Sequence, residues 1–449
     1  MQRNNTVLAG VTAVIIAAVL LFSWMTLDDS SDETHISEEV VDAIYGGDYE
    51  GLYEMLGDDA KAEFGDAQAL QDDMEQVMAG ISATYGDYLG KTSTHGSVPT
   101  PNGVGDYIVL LYEMSGIRLI VTETDGKVSS FFFNTCDKPS DAVLPKGLKE
   151  TEVEIRTGDL WALPGLITSS GLESKTAAVL VHGSGAHGMN CEIGGNMIFQ
   201  QIAWGLAEKG VDILRYDKRT YADPYVTGID QSRLDIQFET IDDAVSAGRL
   251  LKSMGYEYVY LIGHSLGAMM APAIVEQADG VFEGMISIAG SPRSLSEIQY
   301  DQNMDTISAM DDPVMKQFYT DMVNGEMAKY AGINSMTEAE LMGTTIFGVS
   351  AYYVKTMESL DVPGTAVSLD IPMFFIQGTD DFQVDPEKDF GLWTEILKDN
   401  GNAQFMLYQG LNHLLCVSTE PGKGTINEYY KPMTVDQSVI EDMAGFMLN

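Results

Sequence analysis

Residues 146–449 predict a mostly parallel, doubly wound α/β sheet of eight strands that carries a helical insertion. Short apolar runs without polar alternation recur along this stretch, as strands buried on both faces require. Segments with helical spacing alternate with the later runs, so the connections are crossovers rather than hairpins. The pentapeptide Gly263-His264-Ser265-Leu266-Gly267 stands between the apolar run Tyr258 to Ile262 and a helix-forming stretch from Ala268. Such a strand-to-helix turn is so tight that only small residues fit two places either side of the serine.

The elements follow in chain order. Thr6 to Leu27 carries no charge and is long enough to cross ~30 Å of hydrocarbon. Arg3 and the amino terminus precede it, whereas Asp28, Asp29, Asp32 and Glu33 follow. By the positive-inside tendency the remainder faces outward. Residues 1–33 are therefore expected to be a single-pass transmembrane helix in the cell membrane plus a short polar stalk, with the rest extracytoplasmic. The rival is a cleaved signal sequence and a secreted protein, for which Phe22-Ser23-Trp24-Met25-Thr26 is a poor cleavage site.

A small α+β domain is expected over 34–137. Ile36, Val40, Val41 and Ile44, then Leu52, Tyr53, Met55 and Leu56, then Leu70, Met74, Val77 and Met78 have helical spacing. Strands are expected over Asp106 to Met114, Ile117 to Thr124 and Val128 to Phe133. The linking pair Asp125-Gly126 is a strong hairpin signal.

After a link from Lys138 to Gly147, strands are expected near 152–156, 160–168, 177–182, 211–215, 258–262, 284–289, 371–377 and 404–408. Helices are expected near 196–209, 238–254, 266–277, 387–398 and 435–447. Between the sixth and seventh strands, residues of about 291–369 read as a helical lid rich in methionine, including Met304, Met315, Met322 and Met357. Flexible thioethers suit an adaptable apolar wall, and a minority of them are expected to reach the substrate pocket.

A serine hydroxyl is a weak nucleophile near neutral pH; it needs a base, and the base needs an orienting carboxylate. In sheets of this kind the partners follow in the order serine, acid, histidine. Of the six histidines only His413 follows Ser265 in the chain, so His413 is the candidate base. The acid is expected just past the strand Ile371 to Gln377, where Asp380 and Asp381 adjoin. Adjacent loop residues point apart, and the spacing from Gly378 favours Asp381, with Asp380 as the alternative. Asp385 and Asp389 read as solvent-facing. The oxyanion donors are expected to be the backbone N–H groups of Ser184, in the loop His182-Gly183-Ser184-Gly185, and of Leu266. His182 and His264 read as packing residues. Asp217-Lys218-Arg219 borders the cleft, either to hold loops by ion pairs or to meet a carboxylate on the substrate.

A net charge of -42 excludes nucleic-acid or anionic-lipid binding by bulk electrostatics. Dense carboxylates serve solubility, or keep a surface hydrated at high salt. Cys136, Cys191 and Cys416 are too few for a disulfide framework. Cys191 and Cys416 both lie near loops expected at the site, either bridged to each other or buried and unreactive. No His/Cys/Asp cluster has metal spacing along the chain, so no catalytic metal and no cofactor are expected.

These residues together resemble the bacterial and archaeal α/β-hydrolase esterases that carry a small N-terminal domain. Besides the elbow, the resemblance rests on Val181 to Gly185, on Ala203-Trp204-Gly205-Leu206-Ala207 with Gly210, and on Leu214 to Thr220. Ala289-Gly290 and Gln377-Gly378 complete it. It covers nearly all of the chain beyond the N-terminal segment. Relatives often carry an Asp-Arg-Asp-Glu-like run where Gly188-Met189-Asn190-Cys191-Glu192 stands here. The resemblance implies a secreted or surface serine esterase whose partner is a small-molecule ester, without fixing which one. The same triad also serves peptidases, amidases and acyltransferases. A non-catalytic, membrane-tethered binding protein on this scaffold is the rival from another class.

Overall fold

Side chains alternate between two environments along residues 103–136, and that alternation builds a sheet covered on both faces. The computed structural model describes residues 35–448 except 101–102, 139–141, 159–160, 172–173 and 224–229. Strands β1 (Tyr88–Thr100), β2 (Gly103–Tyr112), β3 (Gly116–Thr124) and β4 (Lys127–Cys136) form an antiparallel sheet in that order. Ile108, Leu110, Leu119 and Val121 point to one face. There they meet Val40, Val41 and Ile44 of α1 (Ile36–Gly46), Leu52 of α2 (Tyr49–Met55), and Leu70 and Met74 of α4 (Ala67–Tyr85), while α3 spans Asp58–Phe64. Tyr107, Val109 and Ile120 point to the other face. The turn between β3 and β4 has Asp125 and Gly126 both at positive φ (52° and 76°), the type I′ geometry that suits a two-residue hairpin. Strand β1 was not expected. Its stretch from Lys91 to Ser97 is polar and holds a glycine, so it lacks an apolar period, and pairing to β2 alone decides its conformation.

The larger sheet has eight strands: β5 (Lys149–Thr157), β6 (Trp161–Ser169), β7 (Thr176–Val181), β8 (Asp212–Tyr216), β9 (Tyr258–His264), β10 (Gly284–Ile288), β11 (Met373–Gly378) and β12 (Ala403–Tyr408). Their order is β12-β11-β10-β9-β7-β8-β6-β5. Every neighbouring pair is parallel except the two made by β6. Ala178, Leu180, Ile262 and Ile286 pack on one side against α5 (Ile198–Glu208) and α14 (Gln437–Leu448). Val179, Val181, Leu261 and Met285 pack on the other side against α6 (Asp242–Ser253) and α7 (Leu266–Ala278), with Trp393 of α13 (Gly391–Ile396). Helices on both faces explain why the central strands β7, β9, β10 and β11 are mostly apolar.

The insertion between β10 and β11 holds α8 (Leu295–Ser308), α9 (Pro313–Gly332), α10 (Glu338–Gly343), α11 (Ala351–Glu358) and α12 (Val362–Ser368). Met357 is buried in the main core, whereas Met315 and Met322 are exposed on α9. The expected membrane helix, Thr6 to Leu27, lies outside the described residues. Among the described residues no helix is long and apolar enough to cross a membrane.

Leu261 is fully buried at the centre of β9. Leu261→Ala is expected to lower unfolding free energy by about 2–5 kcal/mol in urea titrations.

Candidate active site

The elbow is built by two close approaches that no side chain survives. A Cβ on Gly263 would lie 2.4 Å from the Gly267 carbonyl oxygen, and one on Gly267 would lie 2.4 Å from that of Val181. Between them Ser265 holds φ 55° and ψ −116°, a conformation that costs a non-glycine residue of order 1–3 kcal/mol. The strain lifts the serine out of β9 at its carboxyl end and starts α7 one residue later. As the first residue of that helix, Leu266 carries an N–H with no partner one turn back. Cys191 and Ala289, which line the same cavity as Ser265, also hold positive φ (50° and 53°).

His413 arrives on the loop after β12. That loop crosses β11 at Gly378, where a Cβ would lie 2.0 Å from the Leu411 carbonyl oxygen. The Asn412 side chain accepts from the N–H groups of Leu414 (3.0 Å) and Cys416 (3.2 Å) and fixes the turn. His413 Nδ1 donates to Asp381 Oδ2 at 2.8 Å, and both side chains are buried. Asp381 also accepts from Gln377 Nε2 (3.1 Å) and from the N–H groups of Gln383 and Val384 (2.9 Å each). A carboxylate with this many donors has one orientation available. Asp380 turns away and pairs with Lys423, so of the two adjacent carboxylates it is Asp381 that meets the imidazole. Asp385 caps the following helical turn. Asp389 departs from the solvent-facing expectation: it is fully buried and bound to Arg293 Nε at 2.7 Å. Sequence pattern cannot reveal this, because the partner sits 96 residues away.

Ser265, His413, Leu266, Gly183 and Ser184 line one cavity of about 280 Å³. Buried Lys218 donates to the carbonyl oxygens of Gly183 and Gly185 (3.0 Å each) and pairs with Glu239 at 3.3 Å. In a trans peptide the N–H points opposite to the C=O. Holding the Gly183 carbonyl on Lys218 therefore turns the Ser184 N–H away from Lys218. Arg219 pairs with buried Asp243, and Asp217 accepts from Met189 N–H at 2.7 Å. Asp217-Lys218-Arg219 thus serves as loop scaffolding.

His264, His182 and His187 are held neutral. His264 Nε2 donates to the His413 carbonyl (3.1 Å), and burial followed by nearby His413 pushes its pKa down to about 3. His182 donates to the Gly188 carbonyl (3.1 Å) and packs at a tilt against Phe199; burial drives its pKa well down. His187, which lines the cavity, donates to the Ser184 carbonyl at 2.8 Å, and burial pushes it down to about 4. Cys191 and Cys416 are free and buried, not bridged.

The insertion contributes Ser291 and, from α8, Leu295, Ile298, Gln299 and Gln302; no methionine of the insertion lines the cavity. α8, with a capping box at its start, is tied to the acid loop by Gln302 Nε2 donating to the Gln383 carbonyl (2.7 Å), so the wall needs no adaptable thioether. Met269 of α7 is the methionine that reaches it. Ile426 and Tyr429 complete the wall. They come from a stretch after His413 without periodic signal, and sequence reasoning missed them.

Residues 173–420 match the family model described as "Serine aminopeptidase, S33". The chain is 34% identical over 348 residues to Esterase EstD of Thermotoga maritima, which covers 76% of this chain and 78% of that relative. The chain belongs to the α/β-hydrolase serine esterase family. Like other members of this family, it is a hydrolase. Among solved structures, the Pyrococcus furiosus esterase Pf2001 is similar at TM-score 0.44 and 15% identity, covering 70% of this chain and 96% of that one. Est1E from Butyrivibrio proteoclasticus is similar at TM-score 0.42 and 13% identity, covering 66% and 97%.

The small sheet packs against the loops beside this site. Arg118 of β3 lies between the Tyr107 and Tyr221 rings and donates to the Tyr221 hydroxyl at 2.9 Å. Asp137 and Glu192, whose pKa values are raised mainly by burial, gather nearby. Burial also pushes Asp217 up from 3.8 to about 7, against the Met189 N–H that lowers it. The folded state holds this proton more tightly than the unfolded chain. Its stabilising contribution is full below about pH 4 and is lost as pH rises through about 7. Asp217→Asn is therefore expected to gain stability relative to the parent between pH 5 and pH 8, read from urea unfolding at both values.

Proposed function

We propose that this enzyme cleaves carboxylic esters of small or medium acyl groups by two-step acyl transfer. The observation that carries the reading is the buried Asp381–His413 pair, 2.8 Å apart, on the cavity that also holds the strained Ser265. His413 takes the Ser265 proton as that oxygen attacks the ester carbonyl, while Asp381 fixes the imidazole orientation and stabilises its charged form. The N–H groups of Ser184 and Leu266 receive the oxyanion. His413 then gives its proton to the departing alcohol, and water repeats the sequence on the acyl-enzyme. The apolar side chains of Met269, Leu295 and Ile298 suit the acyl chain.

The name of the Thermotoga relative favours esters. The aminopeptidase description of the matching family model makes amide or peptide cleavage the second reading. Ser265→Ala is expected to lower turnover of p-nitrophenyl esters by several orders of magnitude with folding intact, and to abolish fluorophosphonate labelling. Asp381→Asn is expected to cost about 10⁴ in turnover. Near-normal ester hydrolysis by Ser265→Ala would reject the mechanism, and faster cleavage of matched aminoacyl amides than esters would favour the peptidase reading.

We propose further that Thr6 to Leu27 anchors the enzyme with its catalytic part extracytoplasmic, a secreted form being the alternative. An uncharged stretch followed by acidic residues supports this. On expression of the full chain, activity is expected in the membrane fraction and accessible to protease added outside the cell. Activity in the medium, carried by a chain lacking residues 1–27, would establish secretion instead.

A further inference from the structure

Two histidines and an aspartate converge at the junction of the first helix with the small sheet, far from the catalytic cavity in sequence and in fold. His35 is the residue that caps α1 at its N-terminus. His95 lies on β1 opposite Ile108, and Asp106 lies on β2 opposite Ser97, so the two are diagonal neighbours on one face of the sheet. One ligand atom from each of the three can be chosen so that all lie within 4.8 Å of one another.

We propose that His35, His95 and Asp106 bind a divalent transition ion of the zinc class, which fastens the start of α1 to strands β1 and β2. The imidazoles of His35 and His95 stack at 4.1 Å with 12° between their planes, so their in-plane lone pairs run side by side, and one ring turns out of the stack for both to meet a single ion. His95 Nδ1 is buried without a hydrogen-bond partner among the described residues. An enclosed nitrogen of that kind costs free energy unless something meets it, and a metal ion does. Asp106 Oδ1 lies 3.0 Å from His35 Nδ1, and its Oδ2 accepts the Ser37 N–H at 3.0 Å, the kind of outer contact that orients a ligating carboxylate.

Two imidazoles and one carboxylate are borderline donors that suit Zn²⁺ or Co²⁺ better than Ca²⁺ or Mg²⁺. Ligands at about 2.1 Å from a tetrahedral centre stand about 3.4 Å apart, so modest side-chain rotations close the set around one ion. Side-chain exposures of 37% for His35 and 23% for Asp106 leave an entry path and room for a water as fourth ligand. For the ion to take His35 Nδ1, the neutral ring exchanges its proton with solvent from Nδ1 to Nε2, so the contact with Asp106 Oδ1 gives way to the ion with no net loss of a proton from the imidazole.

The pattern is invisible along the chain, because 71 residues separate His35 from Asp106. The alternative is a stacked histidine pair with one ion pair and no metal. Co²⁺ titration of the full chain in detergent at neutral pH distinguishes the two. One equivalent per chain is expected, with the strong visible absorption of a four- or five-coordinate ion, displaced by Zn²⁺. Zn²⁺ is also expected to raise the thermal midpoint by a few degrees. His95→Gln and Asp106→Asn, checked for native circular dichroism and for unchanged p-nitrophenyl ester hydrolysis, should lose both the absorption and the shift. His187→Ala should retain both. Wild-type spectra matching only the hydrated ion, or Co²⁺ binding undiminished in His95→Gln and Asp106→Asn, would overturn the proposal.

Discussion

The close crossing of backbones at Gly263, Ser265 and Gly267 is the constraint on which the rest of this site depends. α7 leaves no room for a Cβ on Gly263 of β9, and the end of β7 leaves none on Gly267. Ser265 is thereby forced into a backbone conformation that an unconstrained serine would leave. The neighbouring parallel strands hold that turn: Ser265 N–H donates to the Ile288 carbonyl at 2.9 Å. The local strain is supported by this hydrogen bond together with the buried core of the sheet.

Around this fixed point the loops are ordered by buried polar side chains, each with a defined task. Lys218 holds two carbonyls of the loop after β7. Gln377 reaches from the end of β11 to Asp381 and to the Val384 carbonyl. Asn412 closes the turn that carries His413. Unmet polar groups are costly in such an interior, so each loop has few alternative conformations. That is the physical content of preorganisation at this site.

The small antiparallel sheet is part of the same structure. Its second face is covered through Arg118 and Tyr221, and Lys138 N–H donates to Glu192 in the loop beside the cavity. Three carboxyl groups with raised proton affinity lie along this contact. Stability at the seam therefore depends on protonation in a way that neither sheet would show alone.

Much of the architecture was legible in local pattern. Uninterrupted apolar runs marked the central parallel strands, since both of their faces are covered, and the Gly-x-Ser-x-Gly turn marked where β9 passes into α7. Chain order alone left His413 as the one histidine beyond the elbow. Other features had no local signal. Polar β1 becomes a strand through its partner, and Asp389 is buried because Arg293 crosses to it. The choice between Asp380 and Asp381 as the imidazole's partner turns on which way a loop folds. Ile426 and Tyr429 close the cavity from an aperiodic segment, and the insertion's methionines stay out of it because a single capped helix already fills that wall. Sequence determined the features set by backbone periodicity and steric fit between near neighbours. Tertiary structure decided those set by partners tens of residues away, because pairing energies between distant groups leave no trace in local composition.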